Sequence, residues 1–284
     1  MNNFSINRFG KTLRWVLANN LRTQIAWTIG SATAVFLLQL ILIALRSAEY
    51  DNILYADVSG ICASLLWVYI LVVLSTAFST YAKKEKRESL LMLPATNLEK
   101  FLSIVFYVTV VCTLTGILSY IIGDTLRMAV RALLFGNEWI TTIPHVLNNM
   151  VSIFDKSPYF IYAKSFAIMR IICIITVPLW IHSLFILGST LMRKYSFVIT
   201  GLVMIISIWF YAKTTNLLGL NGSNNEFVVK DGVQYVVLHA TQLQYIGALL
   251  TLSFAVINYR VAFRIFKGYQ LITNKWTNYD ILKR

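Results

Sequence analysis

Three histidines, three cysteines and one arginine inside an apolar run are the residues of this chain whose types could do chemistry. Their spacing says which chemistry is open. His145, His182 and His239 fall in different segments and belong to no HExxH motif, so they read as interfacial or hydrogen-bonded side chains, not as a metal set. Cys62, Cys112 and Cys173 sit in apolar runs without CxxC spacing, which suits small buried hydrophobes. There is no GxSxG, no pair of intramembrane carboxylates and no GxxxxGK[ST] phosphate loop. The chain is therefore expected to be no enzyme and to bind no metal or cofactor itself. Arg170, in "FAIMRIICIITVPLW", is ionisable within an apolar run and is by default a functional group. Two readings stay open for it: snorkelling to the outer interface, or facing a cavity that takes an anionic substrate. Pro178, eight residues on, is expected to kink the same helix for gating or packing.

The elements that position these residues are read from composition. Of 284 residues, 57% are hydrophobic and 13% charged, about half the charged share of a soluble domain. The chain is an all-α integral membrane protein on this reading. A bilayer crossing needs about 20 apolar helical residues. Six segments are expected to supply one each: residues 25–45, 58–82, 101–123, 166–187, 197–212 and 236–257. No short apolar core follows Met1, so no cleaved signal peptide is expected.

Charge orients the spans. Six crossings leave both termini on one side, and seventeen of the 25 Lys and Arg fall in the loops and termini of that side, against seven opposite. The acidic residues divide the other way, four against eight. By the positive-inside tendency both termini are expected in the cytoplasm. The net charge of +13 then reflects topology and contact with anionic headgroups, and no nucleic-acid partner is expected.

Residues 1–24 carry Ile6, Phe9, Leu13, Val16, Leu17 and Leu21 at helical spacing, with Asn7, Arg8, Lys11 and Arg14 mostly on another face. This predicts an amphipathic helix lying on the cytoplasmic membrane surface, as an anchor or a partner contact. Between the second and third spans, "KKEKRES" continues the second helix into water, Leu90 to Leu93 form an apolar knuckle, and Pro94 breaks the chain direction. Thr96 or Asn97 can then cap a new helix, with Glu99 in its first turn. An apolar knuckle in water needs cover, either the N-terminal helix of this chain or another subunit.

On the outer side, Asp124 to Lys164 keeps helical periodicity in "TLRMAVRALLFG", so the third helix projects outward or a further helix lies at the surface, with Trp139 suited to an interface. "EFVVKDGVQYVV" predicts a small β-hairpin around Asp231-Gly232 in the last outer loop. The sequon at Asn221 matters only in a secretory eukaryotic setting, and residues 258–284 form a cytoplasmic tail.

The amphipathic start, the turn "LLMLPATNLEKF" and the tail "YRVAFRIFKGYQLITNKW" together resemble the permease subunit of ABC-2 type ATP-binding-cassette transporters. The turn is similar to the LP-S-x-x-E-K turn frequent in such permeases from Bacteroidetes-like bacteria, with Ala95 where a serine is expected. The likeness covers nearly the whole chain in architecture but only these parts in motif. It implies a cytoplasmic coupling turn that docks on a separate ATPase subunit through Glu88, Leu91, Leu93, Pro94, Glu99 and Lys100. It also implies a second permease chain as partner, ATP and magnesium bound by the ATPase alone, export as the activity, and the bacterial inner membrane as the location. The reading from another class is a non-transporting sensor or assembly protein whose turn binds a cytoplasmic regulator.

Overall fold

The structure is a computed structural model that describes residues 4–45, 51–135, 139–151, 160–162, 164–217, 224–230 and 233–268. The sequon at 221–223, the hairpin turn at 231–232 and the tail beyond 268 lie outside these residues. Among the described residues six helices are long and apolar enough to cross a membrane. The described residues fall into two compact units, one drawn from Met1–Val73 and Leu93–Asp155, the other from Leu74–Met92 and Lys156–Arg284.

In the first unit α1 runs unbroken from Ile6 to Leu45, and α2 begins at Asp51 and extends to Thr76, leaving the unit at Val73. A helix over Asn97–Phe106 (α4) passes through a π turn at Tyr107–Val111 into α5, Cys112–Phe135, and a short α6 follows at Ile143–Val151. The expected division of α1 into a surface helix (1–24) and a span (25–45) is absent, because no proline or glycine lies between Lys11 and Ile29 to break it. The third span likewise starts at Asn97 and not at Phe101, and it continues past 123 because "DTLRMAVRALLF" keeps helical propensity. Helix α5 continues beyond residue 123 to Phe135, and α6 adds a further helix after it.

Helix α1 lies alongside α4 and α5 in parallel. Ser5 meets Glu99, Phe9 meets Ser103, Gln24 meets Thr115 and Thr28 meets Ser119. Close approach requires Gly123, where a Cβ would stand 2.7 Å from the carbonyl oxygen of Ala32. With Gln24 level with Thr115, the apolar windows 25–45 and 101–123 are staggered and overlap only where 25–32 runs beside 116–123. Hydropathy along a chain cannot reveal such a shift between two helices. Farther along α1, Val58, Cys62, Ala63 and Leu66 of α2 pack with Tyr120 of α5 and Val146 of α6, covered by Val35, Leu38 and Leu42 of α1.

The second unit opens with a 3₁₀ turn at Ser79–Ala82 and a helix α3 at Lys84–Leu91. The charged stretch is thus a separate helix and not a continuation of α2, because Lys83 is extended (φ −72°, ψ 136°). Later come β1 (Phe160–Tyr162), α7 (Lys164–Leu191), α8 (Ser196–Leu217), β2 (Asn224–Lys230), β3 (Val233–His239) and α9 (Gln242–Lys267). Strand β3 pairs antiparallel with β2 and parallel with β1. The last span therefore starts at Gln242 and not at 236, because residues 236–239 are taken up by the sheet, and it runs on through 258–267. Thr241 caps it, with Gln244 returning the bond to the Thr241 amide.

Helices α7 and α9 pack in parallel along a seam with a seven-residue repeat. Met169, Thr176, Ser183 and Thr190 are buried on α7, as are Ala248, Ala255 and Ala262 on α9. Such a repeat keeps one stripe on the partner, and small residues let two apolar helices approach. Asn258 donates to Ser183 at 3.1 Å across this seam, and His182 pairs with Tyr259. The turn between α7 and α8 places Tyr195 at φ 57° and sets Phe185 against Phe197.

Candidate functional site

The turn singled out in the sequence is organised from its helix N-terminus outward. Thr96 caps α4: its hydroxyl accepts from the Glu99 amide at 3.2 Å, and the Glu99 carboxylate accepts from the Thr96 amide at 2.8 Å. The same carboxylate takes the Ser5 amide at 2.8 Å and the Arg8 guanidinium at 3.0 Å, so the N-terminus of α1 is fastened to the N-terminus of α4. Ser103 continues the contact by donating to the carbonyl of Phe9 at 3.4 Å, and Phe9 meets Phe106 edge-on. A carboxylate at a helix N-terminus with a guanidinium and two amides is well satisfied despite complete burial.

The residues carried over by resemblance thus divide. Glu99 and Lys100 are buried within the chain, and Glu99 is spent on Arg8 and Ser5. Leu91 and Leu93 are half-buried, Glu88 is partly exposed and 3.8 Å from Lys84, and Pro94 is exposed. Met92 is the exposed tip of the knuckle at 83%, while Leu90 is fully buried. Arg170 lies half-buried in the second turn of α7, and Pro178 is exposed within that helix. A proline there leaves the carbonyl four residues earlier without its helical donor, which is tolerable in a span when a neighbour supplies one.

A second polar cluster was missed by sequence reasoning. Asp124 and Arg127, placed beyond the third span, are both buried inside α5 and form an ion pair at 2.9 Å. Arg127 also donates to Gln39 of α1 at 2.9 Å and to the carbonyl of Ile140 at 2.6 Å. Asp124 accepts from Thr141 at 2.7 Å and from both the hydroxyl and the amide of Thr142, at 2.8 and 3.2 Å. Tyr55 of α2 lies under Arg127 and Arg131, and its hydroxyl accepts from Arg131. The spacing of Asp124 and Arg127, three apart on a helix, was the available signal. Gln39, isolated in an apolar run, was the other.

Midway along α1 a smaller cluster gathers at the π turn. Gln24 accepts from Tyr107 at 2.8 Å and from the Cys112 thiol at 3.4 Å, and it donates to Thr115. Among the described residues no three His, Cys, Asp or Glu side chains converge as a metal site. No protein-family model, curated protein or solved structure matches the chain.

Proposed function

We propose that this chain is the membrane-spanning permease subunit of an ABC-2 type transporter, exporting an unidentified substrate with energy from a separate ATPase subunit that binds ATP and magnesium. In this reading it pairs with a second permease chain in the inner membrane of a bacterium, with both termini in the cytoplasm. Six helices long and apolar enough to cross the bilayer support the membrane part. The observation that carries the transport part is the exposed knuckle at Met92 and Pro94, followed at once by a capped helix. A solvent-facing apolar tip on a braced turn suits insertion into a groove of another protein. The clasp through Glu99 and Arg8 would pass force arriving at Pro94 into α1 as well as α4.

The test is affinity purification of the tagged chain from its native cells, wild type against Met92→Asp/Pro94→Ala, with ATPase activity measured on the eluate. Copurification of a nucleotide-hydrolysing subunit with wild type and its loss from the variant is the expected result. Purification without any such subunit would overturn the reading in favour of a regulator-binding membrane protein.

A further inference from the structure

The parallel register of α1 with α4 and α5 poses a problem of height. Phe101, where the apolar run of α4 starts, is level with the stretch between Ser5 and Phe9 of α1, since Ser5 meets Glu99 and Phe9 meets Ser103. Arg22 lies just before Gln24, which is level with Thr115. At 1.5 Å rise per residue, the start of the apolar run on α4 and the start at Ile25 on α1 differ in height by about 25 Å. Over that interval the exposed residues of α4 and early α5 are Leu102, Phe106, Val110 and Leu114, spaced by four. The exposed cations of α1 over the same interval are Lys11, Arg14 and Arg22.

These three cations share one side of α1 within about 80°, at 100° per residue. They lie opposite the buried stripe of Thr12, Val16 and Asn20, and none engages a carboxylate among the described residues. A flat hydrocarbon edge satisfies only one helix. Drawn at Phe101 it puts Arg22 deep among acyl chains, and drawn at Ile25 it leaves the leucine stripe in water. Both are met if phosphate groups reach down along α1 while acyl chains cover α4 at the same height.

We propose that Lys11, Arg14 and Arg22 form a binding stripe for the phosphate headgroups of anionic phospholipids, set deeper in the bilayer than the headgroups of the neighbouring lipids whose chains cover Leu102, Phe106, Val110 and Leu114. Charge complementarity selects this occupant, since every charge on this side of α1 is basic and the exposed residues of α4 and early α5 at the same height are apolar. The inference holds whether or not the chain is a transporter.

The test is native mass spectrometry of the full chain released from vesicles of equal phosphatidylglycerol and phosphatidylcholine. Wild type is compared with Lys11→Gln/Arg14→Gln/Arg22→Gln and with a control at two other exposed lysines, Lys164→Gln/Lys213→Gln. Retention of phosphatidylglycerol over phosphatidylcholine is expected for wild type and control, with a loss of up to about fivefold per charge removed in the triple variant. Unchanged melting of the triple variant in lipid-free detergent shows that the fold persists. Absence of a preference in wild type, or an equal loss per charge in the control, overturns the proposal. So does an acidic protein that occupies the stripe in phosphatidylcholine vesicles.

Discussion

Replacing Asp124 by alanine tests whether the polar cluster around Asp124 and Arg127 holds the first unit together. The carboxylate accepts five hydrogen bonds, two from Arg127, two from hydroxyls of Thr141 and Thr142 and one from the Thr142 amide. Three of these bonds leave α5 for Thr141 and Thr142, and at about 0.6 kcal/mol for a polar contact between segments in a membrane they account for about 2 kcal/mol. Breaking a buried ion pair on one side costs about 3–5 kcal/mol by an independent route, because the remaining charge stays desolvated. The desolvated charge therefore dominates, and its lower bound of about 3 kcal/mol is carried forward. A large domain loses about 2 °C of melting temperature per kcal/mol, so Asp124→Ala is expected to melt about 6 °C below wild type in detergent. Asp124→Leu/Arg127→Met should recover part of that loss and not all, since Gln39 and the Ile140 carbonyl lose their donor. The assay is intrinsic tryptophan fluorescence on heating. Melting of Asp124→Ala within about 1 °C of wild type would refute the reasoning.

Two further expectations concern the packing of α1. Arg8→Gln and Glu99→Gln should be strongly non-additive in a double-mutant cycle, because both remove the same guanidinium-carboxylate contact. Hydrogen exchange should rise at the Ser5 and Thr96 amides in Glu99→Gln, and full protection in that variant would mean that the carboxylate charge does not hold the turn. Gly123→Val should destabilise by about 1–3 kcal/mol, since even a Cβ meets the Ala32 carbonyl at 2.7 Å and α5 must move off α1. The same melting assay reads it, and a neutral effect would show that the two helices do not pack as closely as described.

Much of the architecture is legible residue by residue because its causes are local. Runs of about 20 apolar residues mark six helices, since a helix satisfies its own backbone wherever water is excluded. The capped start of α4 is visible in Thr96 and Glu99, whose reciprocal bonds span three residues, and the paired strands β2 and β3 flank an Asp-Gly step. The tertiary structure decided what depends on distant neighbours. Glu99 suits a partner-facing turn until Arg8 and Ser5, over ninety residues away in sequence, arrive to occupy it. Asp124 and Arg127 look like outer-loop charges until Gln39 and Thr142 supply the bonds that make their burial tolerable. The stagger of α1 against α4 and α5 has the same origin: hydropathy records what one segment avoids, whereas register is set by which side chains of two segments fit together.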